Sequence, residues 1–151
     1  MKSQRLLNVI REMEKKDISQ MIISSAASIY YLTGKWICAG ERMIALYLNK
    51  NGNHKFIVNK LFPIEEDLGI DIIWYGDDED PIKILSKVLD KNEILGVDKF
   101  WPAQYLIRLM ELNSVKGFLN SSSIVDELRM VKDEEERALM RKSSRINDRV
   151  M

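Results

Sequence analysis

The stretch MIALYLNKNGNHKFIVN, residues 43–59, carries the strongest fold signal in the chain. Two apolar segments, residues 43–49 and 55–59, flank a turn that contains the pair Asn51-Gly52. This pair is favoured in two-residue hairpin turns because both residues tolerate the positive φ angles that such turns need. The stretch therefore predicts a β-hairpin, which is an antiparallel unit.

Segments of strand length alternate with helical patterns on both sides of this hairpin. Apolar runs bounded by turn residues predict further strands at residues 20–25, 71–75, 93–98 and 114–120. Apolar residues at helical spacing predict helices at residues 5–16, 81–89, 102–110 and 123–129, with one or two further helical turns at residues 61–67. Alternating strands and helices together with one hairpin predict an α/β fold with a mixed β-sheet flanked by helices.

Some helix boundaries and faces can also be predicted. The pair Asp80-Pro81 is typical of an N-cap followed by the first helical residue, and Ser123 is a possible cap for the helix after it. In the helix over residues 102–110, the spacing places Met110 with the core-facing residues.

The segment MVKDEEERALMRKSSRINDRVM, residues 130–151, begins as a capped helix. Asp133 and Glu136 have the spacing of a capping box, in which each side chain bonds the backbone N–H of the other. Leu139, Ile146 and Val150 then recur on one helical face. No residue typical of a helix end follows Val150.

Two interpretations of this unfinished helix remain open. It is either a frayed terminal helix or the beginning of a second domain. In the second case the chain divides into a domain over residues 1–130 and the start of another over residues 131–151.

Composition excludes several functional classes. The 151 residues are 46% hydrophobic and 30% charged, with 23 basic and 23 acidic side chains. Such balance offers no basic surface of the kind that nucleic acids and anionic membranes attract, so neither is expected as a partner. The single cysteine, Cys38, fits a reducing compartment, and neither a signal peptide nor an apolar run of membrane-spanning length is visible. We expect a cytoplasmic domain.

Catalytic and metal-binding motifs are missing from the sequence. His54 is the only histidine, and beside a hairpin turn it is expected to be a solvated side chain. No HExxH or CxxC spacing is present, and the acidic run at residues 76–80 lacks the ligand pattern of an EF-hand loop. Cys38 has no histidine nearby in sequence to activate it. The residues therefore predict neither a catalytic group nor a metal ligand in this chain.

A segment rich in aromatic residues precedes the hairpin. In ASIYYLTGKWICAGERMIALYLN, residues 27–49, we expect a loop that carries Tyr30, Tyr31, Trp36 and Arg42. The planar, permanently charged guanidinium of Arg42 suits a carboxylate ligand. The aromatic residues either cover the sheet edge, with Glu41 paired locally, or they form a specificity loop beside an active site.

Three motifs give the chain a family resemblance. YYLTGKW followed by ERMIALYL, GVD at residues 96–98, and ELRMVKDEEERALMRKSS at residues 127–144 resemble the amino-terminal half of Xaa-Pro peptidases, the aminopeptidase P and prolidase group related to creatinase. The resemblance runs in order over essentially the whole chain. It implies a creatinase/prolidase-type N-terminal domain with a ribonuclease-H-like mixed sheet, and residues 131–151 would begin the first helix of a pita-bread catalytic domain.

The resemblance also implies a function for the parent protein. Its catalytic domain would follow this chain and hold two divalent metals, usually manganese or cobalt, on two aspartates, one histidine and two glutamates. Those metals would activate the hydroxide that attacks the carbonyl preceding proline in a peptide substrate. This chain would be non-catalytic; it would serve dimerisation and shape the active-site entrance of the partner subunit.

The substrate-proximal loop implied by the resemblance consists of Tyr31, Trp36, Glu41 and Arg42, of which Glu41 and Arg42 match the family's ER pair. Tyr31 belongs to the family's YLTG motif. Some prolidases have a histidine where this chain has Gly40, so a preference for dipeptides stays open. Aminopeptidase, dipeptidase, creatinase-like and inactive parents all remain possible. The alternative is a stand-alone binding or dimerisation module of the same fold.

Overall fold

The computed structural model describes residues 1–150 of the chain, and for Val150 only the backbone. That part of the chain contains six helices and six strands. In chain order they are α1 (Ser3–Lys15), β1 (Gln20–Ile23), α2 (Ala26–Thr33), β2 (Ala45–Asn49), β3 (Lys55–Asn59), β4 (Asp71–Tyr75), α3 (Pro81–Ser86), β5 (Ile94–Val97), α4 (Ala103–Glu111), β6 (Gly117–Asn120), α5 (Ser122–Met130) and α6 (Glu134–Val150).

The strands form one mixed sheet in the order β4-β3-β2-β1-β5-β6. β2 is antiparallel to both β1 and β3, while the remaining neighbours run parallel. All four residues of β1 are buried, as expected for a central strand covered on both faces. The predicted mixed sheet flanked by helices is confirmed.

The predicted hairpin joins β2 to β3, with Leu46 opposite Phe56. Its turn differs in detail from the two-residue type. Gly52 has a φ of 85°, and its N–H donates to the Asn49 carbonyl oxygen at 3.0 Å. The Asn49 side-chain oxygen accepts from the N–H of Asn51 at 2.8 Å. A single left-handed residue, glycine, therefore closes the hairpin.

Each face of the sheet packs against its own helices because side chains alternate along a strand. α1, α2 and α5 cover the first face, where Met21 and Ile23 of β1 point. α3 and α4 cover the second face, to which Ile22 and Tyr47 point. The domain thus has two apolar cores with the sheet between them.

The predicted turns of helix at residues 61–67 are absent, and the chain there forms bends. Asn59 closes a tight turn directly after β3, since its side-chain oxygen accepts from the N–H of Leu61 at 2.9 Å and its carbonyl oxygen from Phe62 at 3.0 Å. Pro63 also disfavours helical geometry at Phe62. α3 ends at Ser86, three residues earlier than predicted.

One predicted helix cap is confirmed and one is wrong. Asp80 caps α3 by accepting from the N–H groups of Ile82 and Lys83 at 3.0 and 3.2 Å. Ser123 lies inside α5, and its hydroxyl accepts instead from the ammonium of Lys16 at 3.0 Å.

The side-chain oxygen of Asn120 accepts from the first helical N–H of α5, on Ser122, at 3.0 Å.

The predicted inward position of Met110 is also wrong. Leu109 is buried, and the next residue on a helix lies about 100° further round, so Met110 is 48% exposed.

The capping box of α6 is confirmed. The Asp133 carboxylate accepts from the N–H of Glu136 at 2.8 Å, and the Glu136 carboxylate accepts from the N–H of Asp133 at 3.0 Å. Of the predicted apolar face, Leu139 and Ile146 are 60% and 45% exposed, and the side chain of Val150 lies outside the described residues. The division of the chain near residue 131 stays a prediction. No helix between residues 1 and 150 combines the length and apolar character of a membrane span.

Candidate functional site

Tyr31 lies on a helix where the sequence predicts a loop. Ser25 begins α2 by accepting from the N–H of Ser28, and Gly34 ends it with a φ of 81° and an N–H donated to Tyr30 at 2.8 Å. A serine N-cap and a glycine just past the last turn are ordinary helix signals. Both signals are visible in the sequence, but the aromatic residues of this segment led to the prediction of a loop. As a result, Tyr31 is buried against the first face of the sheet.

Arg5 is the polar centre beside Tyr31, and sequence reasoning missed it. Its guanidinium carbon lies 4.3 Å from the centre of the Tyr31 ring, and Nη1 donates to the Tyr31 carbonyl oxygen at 3.1 Å. Nη2 lies 2.6 Å from the Asp133 carboxylate and 3.0 Å from that of Glu136. The one available signal was the spacing of Arg5, Val9 and Met13 at intervals of four, which places Arg5 on the buried side of α1.

The pKa values of Asp133 and Tyr31, the two neighbours of Arg5, shift in opposite directions. Hydrogen bonds from the backbone of Glu136 and from Arg5 lower the pKa of Asp133. Burial raises the pKa of Tyr31, although the nearby guanidinium opposes that shift. Asp133 is therefore ionised at neutral pH, whereas Tyr31 stays neutral because burial outweighs the effect of the guanidinium.

Two shallow grooves flank Arg5. One, of about 510 Å³, runs between α1, α5 and the start of α6. The other, of about 180 Å³, is lined by the aromatic pair Tyr30 and Trp36, whose ring centres are 6.0 Å apart. Trp36 is 58% exposed, and its indole N–H donates to the exposed thiol of Cys38 at 3.2 Å. Trp36 therefore presents a large apolar surface to solvent at the edge of this groove.

Arg42 lies at a different place in the domain. Its Nε and Nη2 donate to the two carboxylate oxygens of Asp77 at 2.9 and 2.8 Å. Asn59 donates to the same carboxylate at 2.8 Å, and these bonds lower the pKa of Asp77, with the Arg42 bond the larger cause. The carbonyl of Glu41 accepts from the Tyr105 hydroxyl at 2.6 Å. The Arg42 guanidinium, which we expected to bind a substrate carboxylate, thus binds a carboxylate of the same chain.

The structure separates the four predicted loop residues into two groups. Tyr31 belongs to the core on the first face, while Met43, which follows Arg42, belongs to the core on the second face. Within the described chain, no hydrogen bond or ion pair joins Tyr31 or Trp36 to Glu41 or Arg42. Tyr31 and Trp36 flank the grooves near Arg5, whereas Glu41 and Arg42 lie beside the start of the second core. Their substrate-proximal role stays a prediction.

Asp98, the last residue of the GVD motif, is a second polar residue for which the sequence predicted no role. It follows β5 and is buried. One carboxylate oxygen accepts from the N–H groups of Ser24 and Ser25 at 3.2 and 3.1 Å, and the other from Phe100 at 2.8 Å. Asp98 therefore fixes the segment that leads from β1 into α2, and with it the position of Tyr31.

His54 is half-buried rather than freely solvated. Its Nδ1 accepts from the N–H of Asn49 at 3.3 Å across the hairpin, and burial lowers the pKa of the imidazole. It therefore contributes to the hairpin as a neutral ring. Among residues 1–149, no three His, Cys, Asp or Glu side chains are grouped as a metal ion would require.

Comparison with known proteins places these features in a family. The model of the Creatinase/Prolidase N-terminal domain matches residues 5–131. An uncharacterized peptidase of Staphylococcus aureus strain USA300 is 25% identical over 154 residues, which cover 96% of this chain and 42% of the relative. The chain thus spans less than half the length of this curated relative.

Two solved structures have the same fold as this chain. A dipeptidase of Pyrococcus horikoshii OT3 matches with a TM-score of 0.84 and 29% identity, over 97% of this chain and 42% of that one. The N-terminal domain of an X-Pro dipeptidase from Streptococcus pyogenes shows the same fold, with a TM-score of 0.69 and 18% identity over 82% of this chain and 98% of that one. The chain belongs to the Creatinase/Prolidase N-terminal domain family.

Proposed function

We propose that this chain is the non-catalytic N-terminal domain of a metal-dependent Xaa-Pro peptidase of the aminopeptidase P or prolidase type. The observation that carries the proposal is the family match over residues 5–131, combined with coverage of only 42% of a peptidase relative. The rest of such a relative has the length to contain a catalytic domain. Residues 131–151 would lead into it; among those that the structure describes, α6 has exposed side chains over residues 137–149.

The catalytic domain would supply the chemistry. It would hold two divalent metals, with manganese or cobalt as the expected ions, which activate water for attack on the carbonyl preceding proline. The present chain would serve dimerisation and shape the active-site entrance of the partner subunit. The single cysteine supports a cytoplasmic location for this protein.

Arg42 would recognise the carboxylate of a peptide substrate. Its side chain is 41% exposed, and its guanidinium already binds a carboxylate in two-bond geometry. A substrate carboxylate would take the place of Asp77, so that no charge on Arg42 is left unpaired in either state. Asp77 would then compete with the substrate and weaken its binding.

The first test is activity. The purified chain with added Mn²⁺ is incubated with a Xaa-Pro dipeptide, and we expect no release of proline. Manganese-dependent hydrolysis by the chain itself would refute a non-catalytic role. The coding sequence after codon 151 is read in parallel; an open frame with the two aspartates, one histidine and two glutamates of a dinuclear site supports the proposal, and a stop codon contradicts it.

The second test addresses Arg42 in the protein that includes the catalytic domain. We expect Arg42→Ala to raise KM for a substrate with a free carboxylate while kcat changes little, and Asp77→Asn to lower KM. Arg108→Ala is the matched control, because Arg108 is also exposed and paired, to Glu111 at 3.0 Å. If KM is unchanged in both Arg42→Ala and Asp77→Asn, Arg42 does not bind the substrate carboxylate and has only a structural role.

The alternative is a stand-alone binding or dimerisation module. The solved Streptococcus pyogenes chain is described as the N-terminal domain of an X-Pro dipeptidase, and 98% of it aligns with this chain, so the fold exists there without the rest of the enzyme. Sedimentation of this chain tests dimerisation, which both functions include: a stable dimer supports it, and a monomer contradicts a stand-alone dimerisation module. The codon after residue 151 distinguishes the two functions, since a stop codon there supports the stand-alone module.

A further inference from the structure

One side chain makes all the polar contacts between α6 and the sheet domain. Among the described residues, every hydrogen bond or ion pair that joins residues 133–149 to residues 1–130 involves Arg5. Two carboxylates of α6's capping box converge on one nitrogen of this guanidinium. The Arg5 side chain is only 14% exposed, so its charge depends on these partners more than a surface arginine would.

The rest of α6 has little else to hold its direction. Residues 137–149 are all exposed. The link from α5 is also exposed, since Val131 is 78% accessible and adopts an extended backbone with φ −88° and ψ 109°. Within the link, the Lys132 ammonium donates to the carbonyl oxygens of Arg129 and Met130, and Arg137 donates to the Lys132 carbonyl oxygen at 2.8 Å. These bonds join only residues close together in the chain, and neither side-chain packing nor a continuous helix fixes the angle between α6 and the domain.

Arg5 connects this junction to α2 as well. The same guanidinium stacks on the Tyr31 ring and donates to the Tyr31 carbonyl oxygen. The backbone of Arg5 is held in place by α1, because Val9 and Met13 of that helix are fully buried. A change at the α6 junction therefore reaches the helix that carries Tyr31, and the direction of α6 is set relative to that helix.

We propose that Arg5 is a positioning residue that fixes the direction in which α6 leaves the sheet domain. The axis of α6 is thereby held at a defined angle to α2, the helix that carries Tyr31. Aromatic stacking orients the guanidinium plane, and the two carboxylates fix the helix to it. This inference concerns the chain itself and does not depend on a peptidase function.

The test measures the distance between α1 and α6 by electron paramagnetic resonance of two spin labels. The labels are attached at Glu14→Cys and Ser144→Cys in a Cys38→Ser background, so that no other thiol reacts. Residue 144 lies about 15 Å along α6 from its start, so a change of about 20° in helix direction moves the label by about 5 Å. We expect a single narrow distance distribution for the otherwise unchanged chain.

Arg5→Gln is expected to broaden that distribution by several ångströms without reducing helix content by circular dichroism. Arg11→Gln is the matched control, since Arg11 is an exposed arginine of the same helix, and it should leave the distribution narrow. An unchanged distribution in folded Arg5→Gln overturns the proposal. Broadening that is accompanied by loss of helix content also overturns it, because Arg5 would then stabilise α6 rather than direct it.

A second variant approaches the junction from the other side. Asp133→Asn combined with Glu136→Gln removes both negative charges but retains side-chain oxygens that can make the capping-box bonds. If Arg5→Gln does not fold, this double variant decides. Broadening at constant helix content supports the proposal, and a narrow distribution overturns it.

Discussion

Replacing Asp98 by alanine should destabilise the domain and loosen the start of α2. The carboxylate is the only side-chain acceptor for the N–H groups of Ser24, Ser25 and Phe100 among the described residues. These groups lie at the carboxyl ends of two central parallel strands, β1 and β5, which Asp98 ties together. Alanine leaves three N–H groups without their partner.

The magnitude follows from the number and type of bonds. A hydrogen bond to a charged group contributes about 1.5–3 kcal/mol, so three bonds set an upper bound well above the net effect. The cavity that Asp98 lines has a volume of about 10 Å³, close to the space that one water molecule needs. Water entering the vacated space recovers part of the loss. We expect a net decrease of about 3 kcal/mol in the free energy of unfolding.

The measurement is thermal and urea denaturation followed by circular dichroism. A loss of about 3 kcal/mol lowers Tm by roughly 6–12 °C for a domain of this size. Asp98→Asn, which retains one acceptor oxygen, should lose about half as much free energy. Asp126→Ala is the control, because Asp126 lines the same cavity but forms a surface ion pair with Lys99, worth about 1 kcal/mol or less.

A decrease below about 1 kcal/mol for Asp98→Ala, or one equal to that of Asp126→Ala, would refute this account. It would mean that solvent satisfies the three N–H groups as well as the carboxylate does. Protease sensitivity provides an independent check. Cleavage should move into the segment that leads to α2 in Asp98→Ala and not in the control.

Three further predictions concern the core and the hairpin. Gly96→Ala should cost about 1–3 kcal/mol of unfolding free energy, because the new methyl carbon would lie 2.7 Å from the Cβ of Ser121; equal urea midpoints would contradict this. Burial lowers the pKa of His54 in the folded chain, so below about pH 6.5 the unfolded chain binds a proton that the folded chain does not. The free energy of unfolding should therefore decrease as the pH is lowered from about 6.5 to the folded pKa, and it should decrease less steeply in His54→Gln. Gln20→Leu should cost about 2 kcal/mol or more, because the buried Tyr47 hydroxyl and the Asp90 N–H lose their side-chain acceptor and the Asp90 carbonyl loses a donor. The cost should be smaller in a Tyr47→Phe background, and equal costs in both backgrounds would exclude a coupling between Gln20 and Tyr47.

The sequence predicted the sheet well because its strands carry local signals. The hairpin and the isolated apolar runs needed only period, length and turn residues to be recognised. The capping box of α6 was equally local. The helical turns at residues 61–67 were predicted wrongly because the side chain of Asn59 competes for the backbone N–H groups that a helix would use.

The candidate site was harder to predict because its contacts join distant parts of the chain. Arg5 meets Asp133 across most of the sequence, and no local pattern relates the two. Helix α2 is only eight residues long, too short for its periodicity to outweigh its aromatic content. Arg42 was singled out for its chemistry, but its pairing with Asp77 depends on the parallel alignment of β3 and β4.

The strand order has a consequence for how the domain is made. β1 to β4 are the first four strands along the chain and pair with one another as four of the six strands of the sheet. β5 joins β1 in a register that places Leu95 opposite Gln20. Loop closure over that separation is the slow step in forming such a sheet. During synthesis the first four strands can therefore assemble while the β1 edge remains open. Until residues 94–97 emerge and dock, that edge offers an unpaired apolar strand to any other chain, which makes it the point where misassembly would start.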